Sequence, residues 1–408
     1  MKNLLLFIYL LIAFIFPSTG GMNILDIVNL FISIFVLLDK KMIKNYKTEV
    51  YFLVFLSFFS FILLCIDFIF NNNECSVYYQ YRMFRLFSVF LTSIFIVKSS
   101  KDNKEYLLSK GIPYVFVVHA IIIISQYFNI FGCKKYILAL TTATKDIDAL
   151  SETGEMMYRV SGFFGGFDSA NIFSSLGVLF LVFSNRLSKL FKIIGIFLLL
   201  VSMFMSARIG FYALIIVFIM FNLYKTLSDY RLFVKKIIMM FLVCGLIVGL
   251  AYYISGMQSK NILYYSLNRF TEPVRNLIEN GEFKSSSSNT LFKYHYHLPE
   301  NLRVLFMGHT FRSHQMGNFF FRSDVEIIKM IYGNGIIFTI LFYVFILYMF
   351  INNFIKNKIK ESMLYTLSLI LLFIGIFKGE YMLCLHIINY YILLYVIVKE
   401  KYYEFEKE

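Results

Sequence analysis

The sequence predicts an all-α protein: a polytopic bundle of about twelve transmembrane helices in a single membrane domain that covers residues 1–408. Three observations predict this class. Repeated apolar runs of about 18 residues are long enough to cross a hydrocarbon core roughly 30 Å thick. The composition is 59% hydrophobic and 16% charged, with only four prolines to interrupt helices. Lysine clusters fall on alternate connections between the runs, which is typical of a chain that crosses a membrane repeatedly.

Each span follows from an apolar run bounded by charged or turn-forming residues, at about 20 residues per span. The spans are predicted at residues 4–16, 22–38, 50–70, 81–97, 112–131, 169–183, 191–205, 209–223, 237–255, 325–351, 364–377 and 381–398. The first run follows Lys2 and precedes Pro17-Ser-Thr-Gly20, so it also resembles a secretory signal peptide. The orientation of the later spans is the same whether or not this run is removed.

The connections between the spans differ in their lysine content. Those rich in lysine are residues 39–49, 98–111, 184–192, 224–236 and 352–362, together with both termini. Because positive charge is retained on the cytoplasmic side, both termini are predicted to lie inside and residues 256–322 to form one large outer loop. The net charge of +14 resides mainly in these short connections, so no nucleic-acid partner is expected.

Cysteine and histidine indicate little metal or disulfide chemistry. Five cysteines are too few for a disulfide framework. Cys75 and Cys133 both fall in predicted outer loops. The sequence is consistent with either a disulfide bridge between them or two free thiols. His295 and His297 resemble a metal-binding pair, but no cysteine or acidic partner stands at the spacing that zinc sites use. We expect no metal and no cofactor.

Arginine is distributed differently from lysine. Nine of the eleven arginines fall on the predicted outer face, against roughly eight of the 28 lysines, although charge retention treats both types alike. A guanidinium adds a planar fork that grips phosphate or carboxylate in bidentate geometry. The set therefore predicts an outward-facing anion site, while each single arginine could equally extend to the lipid headgroups. Its members are Arg82, Arg85, Arg159, Arg208, Arg269, Arg275, Arg303, Arg312 and Arg322.

Other polar residues fall on the same predicted face. Asp168 and Asn171 open one span, Asp324 opens another, and Lys378 lies in the turn between the last two spans. Asp324 is predicted as a general base, since a carboxylate at the membrane boundary can accept a proton from a substrate hydroxyl. A helix N-cap explains Asp324 equally well. His309 is predicted as a substrate contact or a second base.

Four short segments follow one another in the C-terminal two thirds of the chain. They are Arg159-Val-Ser-Gly-Phe-Phe-Gly-Gly-Phe-Asp-Ser-Ala-Asn171, Ser206-Ala-Arg-Ile-Gly210, Arg322-Ser-Asp324 through Tyr332-Gly-Asn-Gly-Ile-Ile337, and Phe377-Lys-Gly379. With the single large outer loop, they resemble the bacterial O-antigen polymerases of the Wzy type and the related O-antigen ligases. Ligases carry a His-Asn pair where this chain has Ser323-Asp324, which favours the polymerases. The proline that the family carries before Asn171 is absent here.

The resemblance implies that the protein joins oligosaccharide repeat units carried on undecaprenyl pyrophosphate. The reaction would occur without a metal at the periplasmic face of the bacterial inner (cytoplasmic) membrane. Membrane lipid, a chain-length regulator and a flippase are candidate partners. The catalytic roles would fall on Asp324, His309, Arg159 and Arg208. The substrate and its pyrophosphate would be bound by Arg82, Arg85, Gly162, Asp168, Asn171, Arg312, Arg322 and Lys378.

Two other functions stay open. A ligase would attach finished polymer to the lipid A core. A flippase or other transporter would move the lipid-linked units, but transporters usually show repeated halves and polar groups near the middle of the membrane. The spans here are nearly free of charge at that depth, and no half of the sequence repeats the other.

Overall fold

The computed structural model describes residues 2–16, 24–70, 77–142, 159–164, 166–226, 286–309, 325–355, 360–379 and 384–406, with Tyr381 and short pieces between 268 and 282. These residues form helices and connecting turns and no strand, which confirms the all-α prediction. The helices are α1 Lys2–Phe14, α2 Ile24–Leu38, α3 Lys40–Ile43, α4 Lys47–Phe70, α5 Tyr78–Lys98, α6 Lys101–Tyr106, α7 Ile112–Tyr127, α8 Cys133–Thr142, α9 Phe167–Phe183, α10 Lys189–Ser206, α11 Ile209–Thr226, α12 Ser286–Thr290, α13 Leu302–Met307, α14 Glu326–Ile355, α15 Lys360–Ile376 and α16 Leu385–Phe405.

Helices occupy every predicted span except residues 237–255, which lie outside the described part of the chain. Five helical stretches are long and apolar enough to cross a membrane: Lys40–Ile69, Tyr79–Lys98, Asp102–Tyr127, Lys189–Ser206 and Glu326–Asn352. Shorter apolar helices lie at Asn3–Phe14, Leu25–Leu38, Phe167–Phe183, Ile209–Asn222 and Glu361–Ile376. The chain is therefore an all-helical membrane protein.

The chain divides into two compact units. Unit 1 consists of Met1–Val115, Phe183–Ser188 and Leu291–Glu408. Unit 2 consists of Phe116–Val182 and Lys189–Thr290. Two of the four segments that resemble the polymerase family lie in each unit.

Helix α5 lies at the centre of unit 1, where it packs against α2, α4 and α16. Within the stretch Tyr79–Lys98, 67% of the residues of an apolar 18-residue segment are buried at a mean hydropathy of 1.2, whereas the corresponding share within Lys40–Ile69 is 28% at 2.6. The less apolar helix is thus the more enclosed one. Lipid is as apolar as leucine, so polar groups belong at helix–helix contacts. The Ser33 hydroxyl, which donates to the Ser88 carbonyl at 3.1 Å, is such a contact.

The predicted inner connections of unit 1 meet at one end of its helices, which we call the lysine-rich end. Buried Glu49, at the start of α4, pairs with Lys399 near the end of α16. Glu49 also accepts a hydrogen bond from the Tyr395 hydroxyl at 2.5 Å. The Lys98 ammonium donates to the Met42 carbonyl at 2.9 Å. These bonds hold the 39–49 connection, the end of α5 and the end of α16 together.

A second group of charges joins further connections at the lysine-rich end. Arg186, between α9 and α10, contacts Glu105 and lies 3.4 Å from Glu361. Lys401 contacts the same two carboxylates, at 3.6 Å and 2.8 Å. The 98–111, 184–192 and 352–362 connections therefore share one end with the C-terminal helix.

Helix α9 is the core of unit 2, and its residues from Ala170 to Leu181 are buried. Two glycines allow neighbouring helices to approach it. A Cβ at Gly177 would lie 2.8 Å from the Phe116 ring, and one at Gly195 of α10 would lie 2.7 Å from Leu181 Cδ1. Small residues at such contacts allow close helix packing inside a membrane.

Cys133 is a free thiol in the structure and donates to the Ser125 carbonyl at 3.2 Å. Its candidate partner Cys75 lies outside the described residues.

Candidate functional site

Buried Asn171 of α9 holds the turn between α10 and α11 together. Its carboxamide nitrogen donates to the Met203 and Ala207 carbonyls, both at 2.7 Å, and its oxygen accepts from the Gly210 N–H at 2.6 Å. The last carbonyls and the first N–H groups of a helix lack partners within the helix. The Asn171 carboxamide bonds groups of this kind at the end of α10 and at the start of α11. A Cβ at Gly210 would lie 2.8 Å from the Asn171 carbonyl oxygen, so only glycine fits. The Asn171 side chain is buried and holds this turn, while its predicted substrate contact stays a prediction.

Arg159 lies against the same turn. Its Nε donates to the Ser206 carbonyl at 3.0 Å, and its Nη2 lies 3.4 Å from Asp168 Oδ1. The guanidinium also stacks over the Phe167 ring, 4.3 Å from the ring centroid. The Val160 N–H donates to the Met205 carbonyl at 3.2 Å, which fixes the backbone beside the arginine. The charge of Arg159 is therefore held in place by both backbone and side-chain contacts.

Gly162 turns the chain just after Arg159. Its φ of +58° lies in the left-handed region that favours glycine. Its N–H donates to the Gln126 carboxamide oxygen at 2.8 Å, and a Cβ there would lie 3.3 Å from Ile123. Gly162 thus packs closely against helix α7, and this contact anchors the segment that carries Arg159.

Arg208 stands in the turn itself, between α10 and α11. Its side chain is 8% exposed, and Nη1 lies 3.0 Å from Glu272 Oε2. Glu272 belongs to the region predicted as the large outer loop. A charge this enclosed needs a partner to offset its desolvation, and Glu272 supplies it.

Unit 2 therefore places two guanidinium groups, Arg159 and Arg208, at one helix–helix turn. Each has a carboxylate partner, Asp168 or Glu272. The turn is rigid because Asn171 satisfies its backbone groups. This arrangement can bind an anion that carries two or more charges. The anion would replace one or both carboxylates as the partner of the guanidinium groups, because a guanidinium binds phosphate oxygens as well as carboxylate oxygens.

Unit 1 contains a different polar centre at the end of α4. Asp67 is the single charged residue between Val50 and Phe70, and its side chain is only 3% exposed. Arg303 Nη2 lies 3.5 Å from Asp67 Oδ1. His309 Nδ1 lies 3.4 Å from Asp67 Oδ2. The predicted base His309 thus faces a buried carboxylate.

A break in α14 positions His309. Gly335 has φ +77° and ψ 165°, which interrupts the helix there. The Tyr332 carbonyl, which a regular helix would pair with a later N–H, accepts instead from the His309 N–H at 2.6 Å. Gly308, also at φ +77°, comes so close that a Cβ there would lie 2.5 Å from the Asn334 nitrogen.

The same part of unit 1 is tied down by Tyr296. Its hydroxyl donates to the Phe377 carbonyl. Partial burial raises the pKa of the Tyr296 phenol, which keeps it protonated as a donor. Tyr296 also packs on a buried cluster at the start of α14, which consists of Val325, just before the helix, and Ile328 and Tyr332 within it. The segment from Leu291 to His309 is thereby fixed to the first turns of α14.

Arg85 forms an ion pair within the bundle. Its Nε and Nη2 donate to the two oxygens of Asp26, at 3.0 Å and 2.8 Å. Tyr81 donates to the same carboxylate. Arg85 is buried, whereas Arg82, also on α5, is partly exposed. A bidentate internal partner makes Arg85 a residue that joins α5 to α2.

Lys378 lies in the turn after α15, which is held by Glu326. The buried Glu326 carboxylate accepts from the Tyr381 N–H at 2.7 Å. The predicted residues Asp324, Arg312 and Arg322 lie outside the described part of the chain. Among the residues that the structure describes, no three histidine, cysteine or acidic side chains come together as metal ligands would.

Sequence reasoning did not assign three of the acidic partners as site residues: Glu272, Asp67 and Asp26. One signal was present for Asp67, because a lone carboxylate in an apolar span is costly unless it has a partner. Neither spacing nor composition indicates which arginine or histidine each acid would face.

These contacts define the class of protein: an all-helical membrane protein whose helix ends carry enclosed arginine–carboxylate pairs. No protein-family model, curated protein or solved structure is significantly similar to the chain.

Proposed function

We propose that this protein is a polymerase that joins lipid-linked oligosaccharide repeat units at the periplasmic face of a bacterial inner membrane. The observation that carries the proposal is the placement of Arg159 and Arg208 at one rigid turn. The donor would be a sugar chain on undecaprenyl pyrophosphate. A pyrophosphate leaving group needs fixed positive charge where its negative charge develops, and preorganised guanidinium groups provide it.

The reaction would proceed by displacement at the anomeric carbon. A hydroxyl oxygen of one lipid-linked unit forms a bond to the anomeric carbon of the growing chain. The bond from that carbon to the pyrophosphate oxygen breaks, and its electron pair leaves with the lipid pyrophosphate. The hydroxyl proton passes to a base, for which Asp324 and His309 are the candidates.

The proposed topology has about twelve spans and both termini in the cytoplasm. The lysine-rich end of unit 1 supports it, because connections that the sequence assigns to the cytoplasm contact one another there. Asp67 lies on the same helix as Glu49 but about 27 Å further along its axis, at about 1.5 Å per residue. That separation approaches the thickness of the hydrocarbon core, which favours a periplasmic position for Asp67 and His309.

Deletion of the gene in its native host tests the function. If the protein is the polymerase, the lipopolysaccharide will carry single repeat units in place of long chains. The readout is the gel ladder of extracted lipopolysaccharide, and restoring the gene should restore the ladder. Complete loss of capped chains with accumulation of lipid-linked polymer would identify a ligase instead. Accumulation of single lipid-linked units on the cytoplasmic leaflet would identify a transporter.

The charge of Glu272 is expected to weaken donor binding, because it competes for Arg208. We predict that Glu272→Gln lowers the KM for the lipid-linked donor about tenfold, equivalent to ~1.4 kcal/mol. The measurement is initial-rate kinetics of the purified protein in vesicles. Glu279→Gln is the matched control, since Glu279 is 57% exposed and lies 4.0 Å from Arg275. An exposed pair of this kind contributes little, so its KM should not change. A raised KM in Glu272→Gln would mean that Glu272 holds Arg208 in place.

A further inference from the structure

We infer that Asp67 positions the His309 imidazole and that His309, so oriented, accepts the proton of the attacking sugar hydroxyl. This inference rests on the proposed polymerase function and chooses between its two candidate bases. Asp67 contacts His309 and Arg303, and we class it as a positioning residue because it acts through His309.

The burial of Asp67 is the first step of the argument. A carboxylate that is 3% exposed in an apolar helix must be paired, or its desolvation would destabilise the fold. Both partners come from one short segment, α13 and the two residues after it. Arg303 is 30% exposed and offsets the charge from the solvent side. His309 is 11% exposed, so the imidazole lies deeper.

The orientation of the imidazole is the second step. Asp67 faces Nδ1. A carboxylate at one ring nitrogen favours the tautomer that carries its proton there, which leaves Nε2 as the basic nitrogen. If Asp67 served only to form an ion pair with Arg303, it would not need His309 as a second partner.

The fixed backbone is the third step. The His309 N–H is bonded to the interrupted turn of α14, and Gly308 packs directly on Asn334. The ring is therefore preorganised, as proton transfer requires of a group that must meet its substrate at hydrogen-bonding distance. In the transfer, the hydroxyl proton moves to Nε2 while its oxygen bonds to the anomeric carbon. The electron pair of the broken bond leaves with the pyrophosphate.

A double-mutant cycle tests the inference with the full-length protein in vesicles and the undecaprenyl-pyrophosphate-linked repeat unit as substrate. His309→Ala and Asp67→Asn should each lower kcat about 100-fold with little change in KM. The double variant should be no worse than His309→Ala, since Asp67 acts through His309. Added imidazole should partly restore His309→Ala. The inference would be overturned if the loss of kcat in the double variant equalled the product of the two single losses. Full activity of Asp67→Asn would overturn it as well.

Arg303→Gln is the matched control for a purely structural ion pair. It removes the Arg303 partner of Asp67 and leaves His309, so we expect only a severalfold loss of kcat. A loss equal to that of Asp67→Asn would show that the cluster only holds the segment in place.

A second readout needs no turnover. Nitrogen-15 NMR of histidine-labelled protein, with His309→Ala used for assignment, should show neutral His309 with its proton on Nδ1. In Asp67→Asn the proton should move to Nε2 in part of the population. An unchanged tautomer would refute the positioning role. Wild-type protein that makes no polymer but shows this tautomer shift would refute the polymerase function alone.

Discussion

Arg159→Lys and Arg208→Lys are each expected to lower the rate of chain extension about 100-fold or more, with normal insertion into the membrane. The guanidinium of Arg159 reaches the Ser206 carbonyl through Nε and faces Asp168 through Nη2. A lysine ammonium is a single point of charge. It therefore cannot contact the Ser206 carbonyl and Asp168 and bind a pyrophosphate at the same time. Arg208 is 8% exposed, and an enclosed lysine loses its proton far more readily than an arginine.

The measurement is the length of polymer made by each variant in vesicles, read as a gel ladder, with membrane insertion checked by the yield of monodisperse protein. Arg186→Lys is the matched control. Arg186 also contacts two carboxylates, but it is 33% exposed and lies at the lysine-rich end. The gel ladder of the Arg186→Lys variant should therefore match that of the wild type. Full-length ladders from both Arg159→Lys and Arg208→Lys would remove these residues from the proposed site.

Asn171→Ala should be the most destabilising single change in unit 2 and should abolish activity. It removes the carboxamide partner of the Ala207 carbonyl and of the Gly210 N–H, whereas the Met203 carbonyl keeps the Ala207 N–H at 3.2 Å and the Ser206 hydroxyl at 3.3 Å. Each buried group left without a partner costs about 1–3 kcal/mol, and water cannot replace the carboxamide in this enclosed turn. The turn should loosen, and with it the register of Arg159 and Arg208.

Thermal denaturation in detergent, followed by the loss of monodisperse protein, measures this effect. Asn222→Ala is the control, since Asn222 donates to the Phe218 carbonyl on its own helix at 2.8 Å and is partly exposed. It should shift the midpoint far less. If the two variants denatured at the same temperature, the turn would not depend on Asn171, and the rigidity assigned to the arginine site would be lost.

The structure places several of the predicted site residues in contacts that the sequence does not specify. Arg159 and Asp168 are both predicted site residues, and their side chains lie 3.4 Å apart. Asn171 is predicted to bind substrate, and in the structure its side chain is buried and bonded to the turn between α10 and α11. Arg85 was expected to bind an anion and has one within the chain, the carboxylate of Asp26.

The sequence by itself determined the helices, because a run of apolar residues has nowhere stable to lie except across the membrane. Lysine placement, a local property of each loop, also grouped the 39–49, 98–111, 184–192 and 352–362 connections, whose described residues contact one another or the C-terminal helix. Tertiary structure alone decided which acid faces which base. Arg208 and Glu272 are 64 residues apart, and Asp67 and Arg303 are 236 apart. Those pairings arise from how helices pack and where α14 breaks, and no periodicity in the chain encodes such through-space contacts.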